Sequence, residues 1–293
     1  MNLKRVIAAV ILIPIVLLVT IFGSVNHYPI VFLVFLILIS TIGVLEGVKI
    51  AKKAGYKTNA LILVLANITL QIFMYFPHLR AEILFLLFAL FVILFVLEIF
   101  KGKPSGAIGR IGAALLIFGI GGLFSLFMLI QKMQITDKGT INIGFRFLLT
   151  LFAGVWSFDI FSYYGGKFAG RHKLAPSVSP GKTWEGLIIG TIIGWVVFVI
   201  TSQYLIINFL DDVTLAHTKL SLVHMIIAGG VVVLFSLLGD LSESILKRSA
   251  GVKDSSKLIM GHGGILDRMD SLLFAVPAFL FYLLFFIDKL FIV

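Results

Sequence analysis

The chain reads as an all-α, polytopic integral membrane protein. Three observations predict this. It is 60% hydrophobic and only 13% charged over 293 residues, with a mean hydropathy of +1.12, whereas a soluble domain is about 25% charged. Apolar runs of roughly 18–20 residues, the length that spans a bilayer as a helix, recur from end to end. No polar stretch is long enough to form a separate soluble domain.

Nine spans are predicted: 6–22, 30–46, 60–76, 83–100, 111–130, 145–164, 187–207, 223–238 and 271–288. The first follows Lys4 and Arg5, as a signal peptide would. It exceeds the usual apolar core of about 7–15 residues, and no A-x-A cleavage site follows, so it is read as an uncleaved span. With no cysteine, disulfides and thiolate chemistry are excluded. The composition shifts between halves, giving residues 1–144 as a block of five plain membrane helices and 145–293 as a catalytic block of four helices with two motif loops.

The net charge of +10 is explained by its distribution and does not call for nucleic acid. The N-terminus and the even-numbered loops hold 18 of the 24 Lys and Arg residues. The positive-inside rule then places the N-terminus in the cytoplasm and the C-terminus outside, with loops 165–186 and 239–270 cytoplasmic.

In spans one to five, Glu46 and Glu98 sit at span ends and read as interfacial residues rather than ligands. From Trp156 onward polar groups enter the membrane. Asp159, Tyr163 and Lys167 recur every four residues, which puts them on one helical face pointing toward the cytoplasm. Asp159 and Lys167 are therefore candidates to line a site, although a carboxylate near a span end can also simply be hydrated.

The first loop carries Ser177-Val-Ser-Pro-Gly-Lys-Thr-Trp-Glu-Gly. A P-loop is excluded, because its first glycine position is Pro176. Pro180 and Gly181 predict a turn, after which Thr183, Glu185 and Gly186 can open a helix whose free N–H groups face an anion. Lys182 stands at that point and Ser179 just before it. An ordinary capped membrane helix is the plainer reading.

The second loop is the most informative part of the chain. Asp240 and Glu243 are three apart, and Lys247 is four beyond. If the eighth helix outruns the membrane, they share a face. Asp267 and Asp270 repeat that spacing at the start of the ninth span. Carboxylates so arranged can hold Mg²⁺, which takes one or two of them plus substrate phosphates; a second cation is a further option. Gly261, Gly263 and Gly264 permit tight turns beside a ligand. His262 can bind phosphate, coordinate metal or cap a turn. The plainer alternative is a neutralising salt-bridge network with Lys247, Arg248 and Arg268, which would give the glycines no purpose.

Together these residues resemble the phosphatidate cytidylyltransferase (CDP-diacylglycerol synthase) family. Its signature falls on Ser244, Lys247, Arg248, Lys253, Asp254, Ser256, His262, Gly263, Gly264, Asp267, Arg268 and Asp270, with matching spacing. Met260 departs from it, standing where the family often has Pro or a small residue. The resemblance is specific over about 156–271. It implies Mg²⁺-dependent transfer of CMP from CTP to phosphatidic acid, with CDP-diacylglycerol and pyrophosphate as products. It implies Asp240, Asp267 and Asp270 as metal ligands and catalytic residues with Lys182. Substrate contacts would come from Asp159, Lys167, Ser179, Lys247, Arg248, Lys253, His262, Gly263, Gly264 and Arg268. It further implies membrane lipids as partners, a bacterial inner (plasma) membrane location with a cytoplasmic site, and a homodimer as one possible assembly. Two other classes are weighed beside it. A transporter should show related halves and polar groups at the bilayer midplane, and neither is present. A prenyl-phosphate sugar-phosphate transferase is the other enzyme reading.

Overall fold

A computed structural model describes residues 3–25, 30–102, 104–136, 140–213, 221–259, 263–287 and 291–292. Each predicted span lies on a helix: α1 (Leu3–Val25), α2 (Ile30–Lys53), α3 (Ala60–Tyr75), α4 (Ile83–Lys101), α5 (Ala107–Gln131), α6 (Gly144–Ala169), α7 (Trp184–Ser202), α9 (Leu222–Ser249) and α10 (Leu266–Phe286), with a short α8 (Asn208–Val213) after a π-helical segment. Among the described residues, seven helical segments are long and apolar enough to cross a membrane, and Val10–Gly23 and Ala60–Tyr75 are shorter apolar helices. The polar ends of three helices run further than hydropathy suggests. α6 extends to Ala169, α9 to Ser249, and α10 begins at Leu266. Asp159, Asp240, Glu243, Lys247, Asp267 and Asp270 are therefore all helical residues.

The chain divides into two compact units. The first comprises Met1–Val19, Ile30–Leu129 and Leu246–Arg268; the second comprises Thr20–Pro29, Ile130–Ile245 and Met269–Val293. In the first unit, Val44, Leu63, Leu70, Leu90, Ile117 and Phe118 form a buried core. The amide N–H groups of Asn67 and Gln71, which α3 carries into it, are paired with α2 and α5. Asn67 Nδ2 donates to Ser40 Oγ (3.0 Å) and Gln71 Nε2 to Gly121 O (3.2 Å). In hydrocarbon an unpaired amide would be far more costly, so this network ties the three helices together.

In the second unit, α6 and α7 pack backbone to backbone. A Cβ on Gly186 or Gly190 would collide with the α6 main chain around Ser162, so small residues set the approach. α10 closes this unit through Phe279, whose ring meets Phe147 and Phe198 edge-on at 5.7 and 5.6 Å.

Small sheets sit at helix ends. β1 (Gln134–Thr136) pairs with β2 (Thr140–Asn142) and β5 (Phe291–Ile292). β3 (Lys173–Ala175) pairs with β4 (Ser179–Thr183). The second hairpin corrects the sequence reading: Pro180 and Gly181 lie within a strand, and the turn falls at residues 176–178. A two-stranded hairpin has two open edges, where proline's missing N–H costs no ladder bond. The helix start predicted at Thr183 is found: its Oγ1 accepts from Gly186 N at 3.2 Å, capping α7.

Candidate active site

In the second unit, the β3–β4 hairpin delivers Lys182 to the acidic end of α9. Lys182 Nζ lies 2.6 Å from Asp240 Oδ2, with both side chains about a quarter exposed. The hairpin is held by Glu185, whose carboxylate accepts from the backbone N–H groups of Arg171 and His172 and contacts His172 Nδ1 at 2.6 Å. One turn beyond Asp240, Ser244 Oγ approaches Asp240 Oδ1 at 3.4 Å, and Glu243 is buried.

Gly239 explains why α10 comes so close here. A Cβ on it would fall on Asp270 O and crowd Phe274. The half-buried Asp270 thus lies within the fields of Asp240, Asp159 and Glu243. The neighbouring Ser271 donates to Asp159 Oδ1 at 3.0 Å. Four carboxylates on three helices thus gather in a partly buried place, with Lys182 on one of them. Like charges so placed raise the energy unless a cation joins them. Among the described residues no three acidic or imidazole groups converge tightly enough to enclose a metal alone. Mg²⁺ needs only one or two carboxylates when phosphate and water oxygens complete its shell. This donor set, all hard oxygen, fits such an ion.

In the first unit, the second half of the motif is folded around Asp267. Its Oδ1 accepts from Lys247 Nζ at 2.6 Å, and both side chains are nearly covered. Its Oδ2 accepts from Ser255 N (2.8 Å), Ser255 Oγ (2.7 Å) and Gly264 N (2.7 Å). Gly263 has φ +80°, a left-handed conformation that disfavours any side chain, and its O accepts from Ile259 N at 2.8 Å. Gly263 therefore does make a tight turn, and carboxylates pack against both it and Gly264; Gly261 lies outside the described residues. The predicted cations separate by environment. Lys247 is buried on Asp267, while Arg248, Lys253 and Arg268 are exposed; Arg248 also donates to Val252 O at 3.1 Å.

Of the remaining predicted site residues, Lys167 is exposed at the end of α6, its ammonium 5.8 Å from the Phe168 ring centre. Ser179 opens β4 opposite Ala175. His262 lies outside the described residues. Sequence reasoning missed Glu46. It is 1% exposed and accepts hydrogen bonds from Ser255, Ser256, Ile265 and Leu266, so it is no interfacial residue. Its sequence neighbours gave no signal, because its partners lie more than 200 positions away. Glu98, by contrast, pairs with Lys101 and Arg110 at 2.6 Å each. Ion pairing beside a loop is consistent with the interfacial reading.

Residues 3–286 match the cytidylyltransferase family. The chain belongs to that family. Among curated relatives of this cytidylyltransferase-family chain, phosphatidate cytidylyltransferase of Haemophilus influenzae is 44% identical over 142 residues, 48% of this chain and 47% of the relative. An uncharacterized protein of Escherichia coli, YnbB, is 37% identical over 187 residues, 63% of this chain and 57% of the relative. The chloroplastic phosphatidate cytidylyltransferase 4 of Arabidopsis thaliana is 42% identical over 133 residues, 45% of this chain and 31% of the relative. The matched stretches span about half the length of most of these relatives or less.

Proposed function

We propose that this membrane protein transfers CMP from CTP to phosphatidic acid, releasing CDP-diacylglycerol and pyrophosphate. The observation that carries the reading is the Lys182–Asp240 pair beside Asp159, Glu243 and Asp270, in a chain of the cytidylyltransferase family. A cation set against clustered carboxylates suits a reaction that brings several phosphate charges to one place.

In this reaction a phosphate oxygen of phosphatidic acid forms a bond to the α-phosphorus of CTP. The bond from that phosphorus to the oxygen bridging the α- and β-phosphates breaks, and pyrophosphate leaves with the electron pair. The attacking oxygen is already anionic, so no strong general base is needed. The protein's work is positioning and charge neutralisation. Lys182 would exchange its contact with Asp240 for a phosphate oxygen. In the first unit, Arg248, Lys253 and Arg268 are exposed, and the family motif they belong to makes them candidates for charge-assisted hydrogen bonds to phosphate. Asp240 and Asp270 would hold Mg²⁺, with Asp159 and Glu243 beside them. When bound, the ion would lower the cost of gathering phosphate charge at the reacting phosphorus. Asp267, the third metal candidate from sequence, has its carboxylate engaged by Lys247, Ser255 and Gly264. We assign it first to holding Lys247 and the glycine turn.

The basic-residue distribution supports a cytoplasmic site, which gives direct access to cytosolic CTP. The deciding experiment incubates detergent-solubilised protein with labelled CTP, phosphatidic acid and Mg²⁺. Formation of labelled CDP-diacylglycerol together with pyrophosphate is expected. Label appearing only with a prenyl phosphate acceptor, or no turnover with either acceptor, would reject the reading.

A further inference from the structure

We propose that Glu46 is a positioning residue for the catalytic motif, an inference that rests on the cytidylyltransferase reading above. Glu46 sits two turns before the end of α2 and is 1% exposed. A buried carboxylate in such a setting is costly unless its oxygens are fully engaged. All of the hydrogen bonds it accepts among the described residues come from one segment. Oε1 accepts from Ser256 Oγ (2.6 Å) and Ile265 N (3.1 Å), and Oε2 from Ser255 Oγ (3.0 Å) and Leu266 N (2.9 Å).

These donors have a common consequence. Ile265 and Leu266 lie at the entry to α10, where backbone N–H groups have no partner within the helix. Glu46 supplies that partner from another helix, and its charge also suits the positive end of the helix dipole. Ser255 Oγ lies between two carboxylates, 3.0 Å from Glu46 and 2.7 Å from Asp267. The group that starts α10 is thus linked through one hydroxyl to the group that holds Lys247. Gly264 completes the seat, since a Cβ there would fall on both Glu46 oxygens and on Ser255 Oγ. The second glycine of the Gly263-Gly264 pair is therefore required by a residue over 200 positions upstream. Asp267 is the second residue of α10, so the angle at which the helix starts bears on the carboxylate that holds Lys247 and the glycine turn.

Glu46 accepts hydrogen bonds from Ser255, Ser256, Ile265 and Leu266 and from none of the Lys or Arg residues predicted to hold phosphate. Its loss should spoil geometry rather than binding, and displacement of a reacting group by about 1 Å costs on the order of a hundredfold in rate. The test uses the full-length protein in one detergent. Glu46→Gln keeps the shape but replaces one acceptor oxygen with a donor. The expected result is a ten- to hundredfold lower kcat, with KM for CTP and for phosphatidic acid changed less than about threefold. Hydrogen exchange should quicken in the 253–268 peptide and stay unchanged in α7. Ser256→Ala, which removes one of the four hydrogen bonds to Glu46 and the bond that Ser256 Oγ accepts from Leu258 N, should move both readouts the same way by less. Glu46→Asp should recover part of the loss.

Wild-type kcat and wild-type exchange in Glu46→Gln would overturn the proposal. So would a loss of activity explained wholly by a smaller folded fraction, with normal turnover per active site. If Glu46→Gln does not fold, Ser256→Ala decides, and unchanged kinetics and exchange there would count against the proposal. If the wild-type protein itself turns over no CTP, the functional reading fails, while the exchange comparison still tests the clamp.

Discussion

Lys182 and Asp240 meet at 2.6 Å, joining the strand that precedes α7 to the polar end of α9. The pair is only partly covered, so its own contribution to stability is modest. Its value lies in placing an ammonium beside a group of carboxylates, where an incoming phosphate can compete for it.

Lys182→Ala should therefore lower kcat/KM for CTP by about one to two decades, the size of a lost charge-assisted contact of about 1.5–3 kcal/mol. Lys182→Arg should be only partly active, because a planar fork does not replace a compact ammonium in a tight hairpin. The measurement is kcat/KM beside thermal stability in the same detergent. Normal kinetics with a lower Tm would return Lys182 to a purely structural part in the hairpin.

The helices and the polar motifs were legible because charge stands out against an apolar background. Asp240, Glu243 and Lys247 could be placed on one face from spacing alone, and α9 does run on to Ser249. The β3–β4 hairpin was not legible. Pro180-Gly181 has the composition of a turn, and only the pairing with Lys173–Ala175 shows that the turn is earlier. Glu46 was invisible for a different reason. A carboxylate at a span end looks the same in sequence whether it faces water or caps a distant helix, and the difference lies entirely in tertiary contacts. Asp267 is intermediate: its importance could be read, but not that Lys247, Ser255 and Gly264 already engage it.

Metal removal should abolish activity. Asp240, Asp159 and Glu243 crowd around Asp270, an oxygen donor set suited to a divalent cation. EDTA should bring turnover to background and added Mg²⁺ should restore it. Asp270→Asn should reduce kcat by orders of magnitude and raise the Mg²⁺ concentration needed for half-maximal rate, with expression near normal. Undiminished turnover in EDTA would remove the metal from the mechanism.

Sidedness can be tested at Lys257, which is exposed in the motif loop. The chain has no cysteine, so Lys257→Cys is a single clean probe. A membrane-impermeant maleimide should label it in inside-out vesicles and leave it unlabelled in intact cells. The reverse pattern would invert the topology and cut the loop off from cytosolic CTP.

Two glycines on α9 separate close approach from mere flexibility. A Cβ at Gly239 would run into Asp270 O and Phe274, whereas one at Gly230 meets nothing within 4 Å. Alanine in an open helix position is favoured over glycine by roughly 0.5–1 kcal/mol, so Gly230→Ala should leave Tm equal or slightly higher and activity unchanged. Gly239→Ala must push α9 and α10 apart, at a cost of about 1–3 kcal/mol for overpacking. It should also shift Asp240 away from Asp270, the two acids assigned to Mg²⁺. The expected signature is a lower Tm together with a rise in the Mg²⁺ concentration needed for half-maximal rate. If Gly239→Ala lowers Tm while the Mg²⁺ dependence stays that of wild type, the glycine serves packing alone, and the spacing between these two carboxylates does not govern metal binding.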